Sequence, residues 1–456
     1  MKLSFCVGVS ARDATWSIGV ALVGAAAFPP ISLWPLSIIS VALFVRLLRD
    51  KTPAQARSIG LVYGAAYGAA TMYWLFGIFG FRAVSFVALM AGYFGILATL
   101  VGMTKNRPLL LRAMLIGIFA VAVEWLRGDA WYLRFPWYTV PHALAISPAW
   151  IAPVRWIGTY GFSFLLWAIA ALGALGRPAY WLAFCLIPAF SLLLEPVSAP
   201  DRSALLMQVE WLPVESVIDQ TPSQKYDLAV LPEYAYHSSF HSLLSSKKGP
   251  VRLAQKLGCP VVFGAVDGNY GNAGFQNVAV VIDASGNLLG TFPKQRPVPL
   301  MVDGRPGDSR PVFPVQDGVL GIGICYDFDA PEIAGSLVRD GATVLLCPTG
   351  DLMTWGRIQH LHHELLLRLR AVENDRWILR ATSSGRTEAI DPHGVPSAEC
   401  VEISETGTVA VSYANRTSFA LGGRLHFLGP AASLLTGLFV LINLGGFFYR
   451  RLHRAR

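Results

Sequence analysis

Three residues suited to covalent acyl chemistry occur in order in the second half of the chain: Glu233 in LPEYA, Lys294 in FPKQRP and Cys325 in GIGICYDFDAPE. A carboxylate takes up a proton, an ammonium stabilises developing negative charge, and a sulfur nucleophile attacks a carbonyl. Glu233 follows the apolar run LAVL and a proline, which predicts a carboxylate just past a strand end, where α/β sheets present their sites. Lys294 sits in FPKQRPVP, whose prolines restrict the backbone around it. Cys325 ends the run GVLGIGIC, after which the chain turns through Tyr326 and Asp327 towards a helix starting near Ala330 with Glu332 in its first turn. That order has the local logic of a nucleophile elbow. Backbone N–H groups after the sulfur would face an oxyanion, a nearby lysine would favour the thiolate, and Tyr326 and Asp327 are the candidates for contacting substrate or oxyanion. Taken singly, each residue also fits a blander role: a surface-loop glutamate, a solvated lysine, a buried inert cysteine.

Other clusters carry less. HLHHE puts His360, His363 and Glu364 on one helical face, but no independent third metal ligand is evident, and a polar helix face is the reading preferred. RAVENDRW, with Arg370, Glu373, Asn374 and Arg376, reads as a capping and ion-pair region. The six cysteines show no C-x-x-C pair, so neither a zinc site nor a disulfide framework is expected, and Cys6 has no apolar signal before it that would mark a lipidated cysteine. No metal or cofactor is expected.

These residues need elements to position them. With 54% hydrophobic and 14% charged residues, the 456-residue chain is too apolar for an ordinary soluble enzyme. The excess is concentrated in residues 16–196 and 425–449, which predicts eight membrane spans centred near Val23, Ile39, Ala69, Tyr93, Gly117, Leu165, Phe184 and Leu438. The first two, pinched at Pro29 and Pro30, also fit a re-entrant hairpin. Lys2, Arg12, Arg46, Arg49, Lys51, Arg57, Lys105, Arg107, Arg112 and Arg177 fall on one side with the basic tail, against fewer on the other, so both termini are expected in the cytoplasm and the large polar segment outside. The net charge of +8 therefore reads as topology, and no direct nucleic-acid contact is expected.

Between about 197 and 423 the periodicity changes. Strands are predicted over 203–209, 228–231, 260–266, 277–283, 319–324, 343–347, 377–382 and 408–412, with helices over 242–257 and 357–373. The expected organisation is a membrane domain of about seven spans over 1–196, an α/β domain over 197–424, and a C-terminal span with a basic tail over 425–456.

Taken in order, LPEYA, FPKQRPVP, GIGICYD and RAVENDRWILRATSSGRTEAIDPHG resemble the nitrilase, or carbon–nitrogen hydrolase, superfamily. FPPISLWPL, GAAYGAATMYWLF, and VEWLRG followed by FPWYTV resemble the membrane domain of apolipoprotein N-acyltransferases. The resemblance implies a multi-span helical membrane domain joined to an αββα sandwich outside a bacterial inner membrane. It also implies Glu233 as general base, Lys294 as oxyanion partner and Cys325 as nucleophile. A phospholipid would donate the acyl group through a thioester, and the α-amine of a lipoprotein would accept it. The loop after the lysine departs from the family: KQRPVPLMVDGRPG has Val302 where a second glutamate is usual, with Asp303 beside it, and Asp327 stands where a glutamate is usual. In these departures the chain resembles the TraB branch of conjugal-transfer proteins, which implies conjugation proteins as further partners. Two rivals share the motif: an amidase with water as acceptor, and a structural component of a conjugation apparatus with a vestigial triad.

Overall fold

The computed structural model describes residues 9–454 apart from 211, 222 and 317; Lys2, Cys6 and Arg456 lie outside the described residues. The chain forms two compact units. One runs up to Leu144 and includes Tyr160–Ile187 and the segment from Leu425, and the other comprises Ala145–Thr159 and Pro188–Arg424.

The first unit is helical. Among the described residues four helices are long and apolar enough to cross a membrane: Leu75–Met103, Leu109–Ala130, Val154–Leu175 and Gly422–Gly446. The segments expected near Val23, Ile39, Ala69 and Phe184 are also helical, but they are shorter or less apolar: Ala11–Ala25, Pro35–Leu47, Pro53–Thr71 and the 3-10 stretch Pro178–Leu186. Prolines at 30, 35, 53 and 178 fall outside or at the first position of these helices, where a missing N–H costs nothing. Thr52 and Gln55 cap Pro53–Thr71 reciprocally. Small residues recur every fourth position on that helix. A Cβ on Gly60 would lie 2.3 Å from the Phe94 carbonyl oxygen, and one on Gly64 2.6 Å from that of Met90, so the two backbones approach as only glycine permits. The C-terminal helix packs on Leu109–Trp125 through Gly429 against Trp125 and Phe439 against Phe119, whose ring centroids are 5.1 Å apart.

The second unit is a two-sheet sandwich. In chain order its strands are β1 (Arg202–Gln208), β2 (Leu228–Val230), β3 (Val261–Asp267), β4 (Gln276–Ile282), β5 (Leu288–Pro293), β6 (Val312–Val315), β7 (Gly318–Ile322), β8 (Val344–Thr349), β9 (Ile378–Thr382), β10 (Thr387–Ile390), β11 (Pro396–Val401) and β12 (Gly407–Tyr413). One sheet has the order β12-β1-β2-β3-β4-β5 and the other β11-β10-β9-β8-β7-β6. Alternation assigns the faces of the first sheet. Leu206, Val230, Val262 and Val281 join Leu320, Ile322 and Leu346 in the main core, while Leu205, Ala229, Val261 and Val280 pack with Val217, Phe240 and Leu253 of the helices outside that sheet. Both faces being covered, these strands read as continuous apolar runs. Each buried Leu or Val contributes roughly 1.5–3 kcal/mol of transfer free energy.

Eight predicted strands are present with ends displaced by one or two residues. The four not predicted are β5, β6, β10 and β11. Three of them are sheet edges, and they carry Pro293, Pro314 and Pro396, which the reading of turn residues took as breakers but which an edge strand tolerates. The single helix expected over 242–257 is instead two, Phe240–Ser246 and Pro250–Leu257. The chain breaks where Lys247 and Gly249 take φ of +54° and +52° ahead of Pro250.

Candidate active site

Strands β2, β5 and β7 end within three residues of Glu233, Lys294 and Cys325, and the three side chains line one cavity of about 490 Å³. Its wall also includes Tyr234, Asp303, Gly350 and Trp355. Glu233 is buried, and its carboxylate is fixed from three directions. Oε1 accepts from Lys294 Nζ at 2.7 Å and Asn277 Nδ2 at 2.6 Å, and Oε2 accepts from the Gly350 amide at 2.7 Å. The segment bearing it lies directly on β3: a Cβ on Gly264 would come within 2.4 Å of the Tyr234 nitrogen and 2.6 Å of Glu233 Cα. Tyr234 itself takes a φ of +49°.

Lys294 is 1% exposed, and its ammonium lies 2.7 Å from both Glu233 Oε1 and Asp303 Oδ2. Burial alone would lower its pKa, but the two carboxylates outweigh that and hold it well above the usual lysine value, so it is a permanent cation. Asp303 is the residue that the altered loop sequence left in question. Val302 points outward, 63% exposed, whereas Asp303 is buried and gathers four donors: Tyr234 Oη and Asn277 Nδ2 on Oδ1, and Val298 N and Lys294 Nζ on Oδ2. The loop thus supplies a second carboxylate to the lysine.

Cys325 sits at the elbow expected of it. Its φ is +50°, a left-handed conformation that costs a non-glycine residue on the order of 1–3 kcal/mol and recurs at functional turns. A 3-10 turn, Cys325–Asp329, and the helix Pro331–Arg339 follow. A Cβ on Gly323 would strike the Phe328 ring at 2.2 Å, which explains the small residue before the turn. Lys294 favours the thiolate, as expected, but is outweighed. Burial is the largest influence and pushes the thiol pKa well up, the Glu233 and Asp351 charges push the same way, and Lys294 opposes them only in part. The resting sulfur is a neutral thiol.

Tyr326 and Asp327 are both buried. Asp327 Oδ1 accepts from the amides of Gln295 and Arg296 at 3.0 and 2.7 Å, and Oδ2 from that of Ile324 at 3.0 Å. Its oxygens are thus engaged by backbone, and it ties the lysine loop to the cysteine elbow. Burial raises its pKa to about 6, against Lys294 and these three donors.

Sequence reasoning missed the support behind the sulfur. HLHHE is no solvated face: His360, His362, His363 and Glu364 are all buried on the Arg357–Asn374 helix. Cys325, Asp351 and His363 bring Sγ, a carboxylate oxygen and a ring nitrogen within 4.8 Å of one another. Both imidazole nitrogens face carboxylates, Nδ1 at 2.8 Å from Asp351 Oδ1 and Nε2 at 3.3 Å from Asp329 Oδ1. Asp351 also takes Gln359 Nε2 at 3.1 Å and a close contact from Arg380. The ring lies between two carboxylates whose charges outweigh burial and raise its pKa to about 9, which makes the cluster an ion-pair network. Spacing along the sequence gave no signal for it, because Asp329, Asp351, His363 and Arg380 come from four different elements. In RAVENDRW, Arg370 pairs with Glu373 at 2.8 Å, and Asp375 pairs with Arg155 and Arg416.

Comparison with known proteins agrees with this architecture. Residues 196–420 match the carbon–nitrogen hydrolase family, and residues 20–172 match the apolipoprotein N-acyltransferase N-terminal domain. An apolipoprotein N-acyltransferase of Pseudomonas syringae pv. tomato is 27% identical over 440 aligned residues, covering 81% of this chain and 84% of its own length. That of Azotobacter vinelandii is 26% identical and covers 93% of each. Among solved structures, Saccharomyces cerevisiae Nit3, a member of branch 10 of the nitrilase superfamily, aligns with 48% of this chain and 92% of its own at 19% identity and a TM-score of 0.39. An amidase from Nesterenkonia sp. aligns with 48% and 93% at 20% identity and a TM-score of 0.39. The chain therefore carries one segment similar to the apolipoprotein N-acyltransferase N-terminal domain and, after it, one similar to the carbon–nitrogen hydrolases.

Proposed function

We propose that the protein is a membrane-bound, cysteine-dependent N-acyltransferase of the bacterial inner membrane, with its sandwich domain on the periplasmic side and both termini in the cytoplasm. Cys325 attacks the ester carbonyl of a phospholipid while Glu233 takes the thiol proton, and the oxyanion develops beside the Lys294 ammonium. Collapse breaks the ester C–O bond, the proton passes from Glu233 to the departing lysophospholipid oxygen, and an acyl thioester remains on Cys325. The α-amine of a lipoprotein then attacks the thioester. Glu233 receives the amine proton and returns it to the sulfur as the C–S bond breaks. Splitting the transfer in two lowers each barrier.

The observation that carries this reading is the meeting of Glu233, Lys294 and Cys325 in one cavity, with the carboxylate already oriented by Asn277 and the Gly350 amide. The matched N-terminal domain and the four apolar helices support a lipid donor. The test is mass spectrometry of the purified protein after incubation with phospholipid. An acyl adduct on Cys325 that an added amine discharges faster than water does supports the transferase. Discharge by water alone favours the amidase reading, and no adduct on well-folded protein refutes both. The loop KQRPVPLMVDGRPG supports a narrower element of the proposal, a TraB-like role with an acceptor belonging to a conjugation apparatus. Restored growth of a strain depleted of its lipoprotein N-acyltransferase would count against that specialisation. Loss of plasmid transfer in a Cys325→Ala strain would support it.

A further inference from the structure

Close to Cys325 lies a buried carboxylate that should hinder the chemistry. Asp351 is fully buried, within 4.8 Å of the sulfur, and its charge opposes formation of a thiolate. It is nevertheless built in firmly. Its carbonyl oxygen accepts from the Ser384 amide at 3.0 Å and from Ser383 Oγ at 2.9 Å, and the residue before it supplies the amide that orients Glu233. The backbone of this turn after β8 thus fixes the position of Asp351, and the fold must neutralise its carboxylate locally. Two cations do so, Arg380 from β9 and His363 from the Arg357–Asn374 helix.

We propose that His363 is a positioning residue for the acyl-transfer site: held as an imidazolium between Asp351 and Asp329, it screens the Asp351 charge from the Cys325 sulfur. The inference rests on Cys325 being the nucleophile. Arg380 occupies Oδ2 of Asp351, while His363 and Gln359 meet at Oδ1, so loss of the histidine charge leaves that oxygen with a neutral donor only. Asp329 balances the surplus positive charge from the far side of the ring.

The charged and titratable groups around this cluster are Asp351 and Cys347 at β8, Asp329 and Cys325 on the 3-10 turn, His360 and Glu364 on the helix, Arg380 and Glu388 on β9 and β10, and Glu233 and Lys294 across the cavity. Burial alone would lower the pKa of His363, but Asp351 and Asp329 overcome it and raise it to about 9. Lys294 and Arg380 stay charged beyond that and Cys347 stays neutral to about 12, so proton loss from His363 dominates just above pH 9.

The experiment follows iodoacetamide alkylation of Cys325 in the full-length protein, read by mass spectrometry with Cys325→Ala as the site control. The sulfur displaces iodide, so the rate reports thiolate and needs no acyl substrate. His363→Gln should slow alkylation at pH 7.5 by about ten- to a hundredfold, as expected for one unopposed charge at this range. His363→Gln combined with Asp351→Asn should recover to within a few-fold of wild type, because the charge being screened is gone. A single variant as reactive as wild type, or a double variant slower than the single, overturns the proposal. The wild-type rate supplies a second reading that needs no variant to fold: its rise with pH should flatten above about pH 9, and an undiminished tenfold rise per pH unit up to pH 10 overturns the proposal. If wild-type Cys325 is not alkylated at any pH, the nucleophile assignment itself fails, an outcome distinct from both.

Discussion

Asp303→Asn tests whether the second carboxylate on Lys294 is part of the working site. Four donors converge on this carboxylate, two on each oxygen, at 2.7 to 3.0 Å. An asparagine must turn its NH2 towards one of those pairs, so it meets two obligate donors on the Lys294 and Val298 side or Asn277 Nδ2 on the other, where only the Tyr234 hydroxyl can turn to accept. If the amide faces Lys294 and Val298, a buried ion pair is broken; if it faces Tyr234 and Asn277, the residue that also holds Glu233 is pushed away. Either arrangement costs about 3–5 kcal/mol, the range for opening a buried charged contact. For a domain of this size that is a fall of roughly 6–20 °C in unfolding midpoint. Lys294 keeps Glu233 as a partner and stays charged, but a shift of about 1 Å in its position would slow acylation of Cys325 on the order of a hundredfold. The assay pairs thermal unfolding in detergent with the rate at which phospholipid acylates Cys325. Asp303→Glu, which keeps the charge but adds a methylene to a full site, should fall between wild type and Asn. An Asn variant that melts within 2 °C of wild type, on the order of the effect of a single kcal/mol, and acylates at the same rate would refute the assignment of Asp303 to the lysine.

Gly264→Ala should cost about 2 kcal/mol or more and lower acylation as well. Its Cβ would meet backbone atoms of residues 232–234 at 2.4 to 2.6 Å, and backbone cannot step aside as a side chain would; unchanged melting and acylation would contradict that packing. Stability should also depend on pH through His363. Its folded pKa of about 9 exceeds the ordinary histidine value of 6.5, so its contribution of about 3 kcal/mol is complete below pH 6.5 and is lost as pH rises through 9. Denaturant midpoints of wild type and His363→Gln should therefore differ most at pH 6 and converge above pH 9, and a gap that widens with pH would have the wrong sign.

The parts of this architecture legible in the sequence were those whose cause is local. Glu233, Lys294 and Cys325 each follow an apolar run closed by turn residues, and such runs end where α/β sheets open to solvent. The inner strands other than β10 were legible because burial on both faces leaves an unbroken apolar signature. Edge strands β5, β6 and β11 were not, because half of their backbone is free and prolines are admitted there. Long-range electrostatics was the least legible. Nothing in HLHHE separates a solvated histidine from one clamped between Asp351 and Asp329, and a lysine 31 positions before a cysteine does not disclose that two carboxylates already claim its charge. The net effect on the sulfur depends on burial and on which charges lie closer, and both are properties of the folded chain.

That net effect leads to a prediction with opposite signs in two assays of one variant. Glu233 raises the Cys325 pKa through its charge, yet on the proposed mechanism it must also accept the thiol proton as attack begins. In Glu233→Gln the charge is gone while Lys294 remains paired with Asp303, so the thiol should ionise more readily and iodoacetamide should alkylate Cys325 faster than in wild type. Acylation by phospholipid should instead fall by about 10²–10⁴, because the transferred proton has no acceptor within reach and the leaving alkoxide has no donor. A residue that merely propped the cavity open would slow both reactions, and one that only tuned the sulfur would speed both. Parallel changes in the two rates, in either direction, would remove Glu233 from the role of general base and leave it a structural anchor for Lys294.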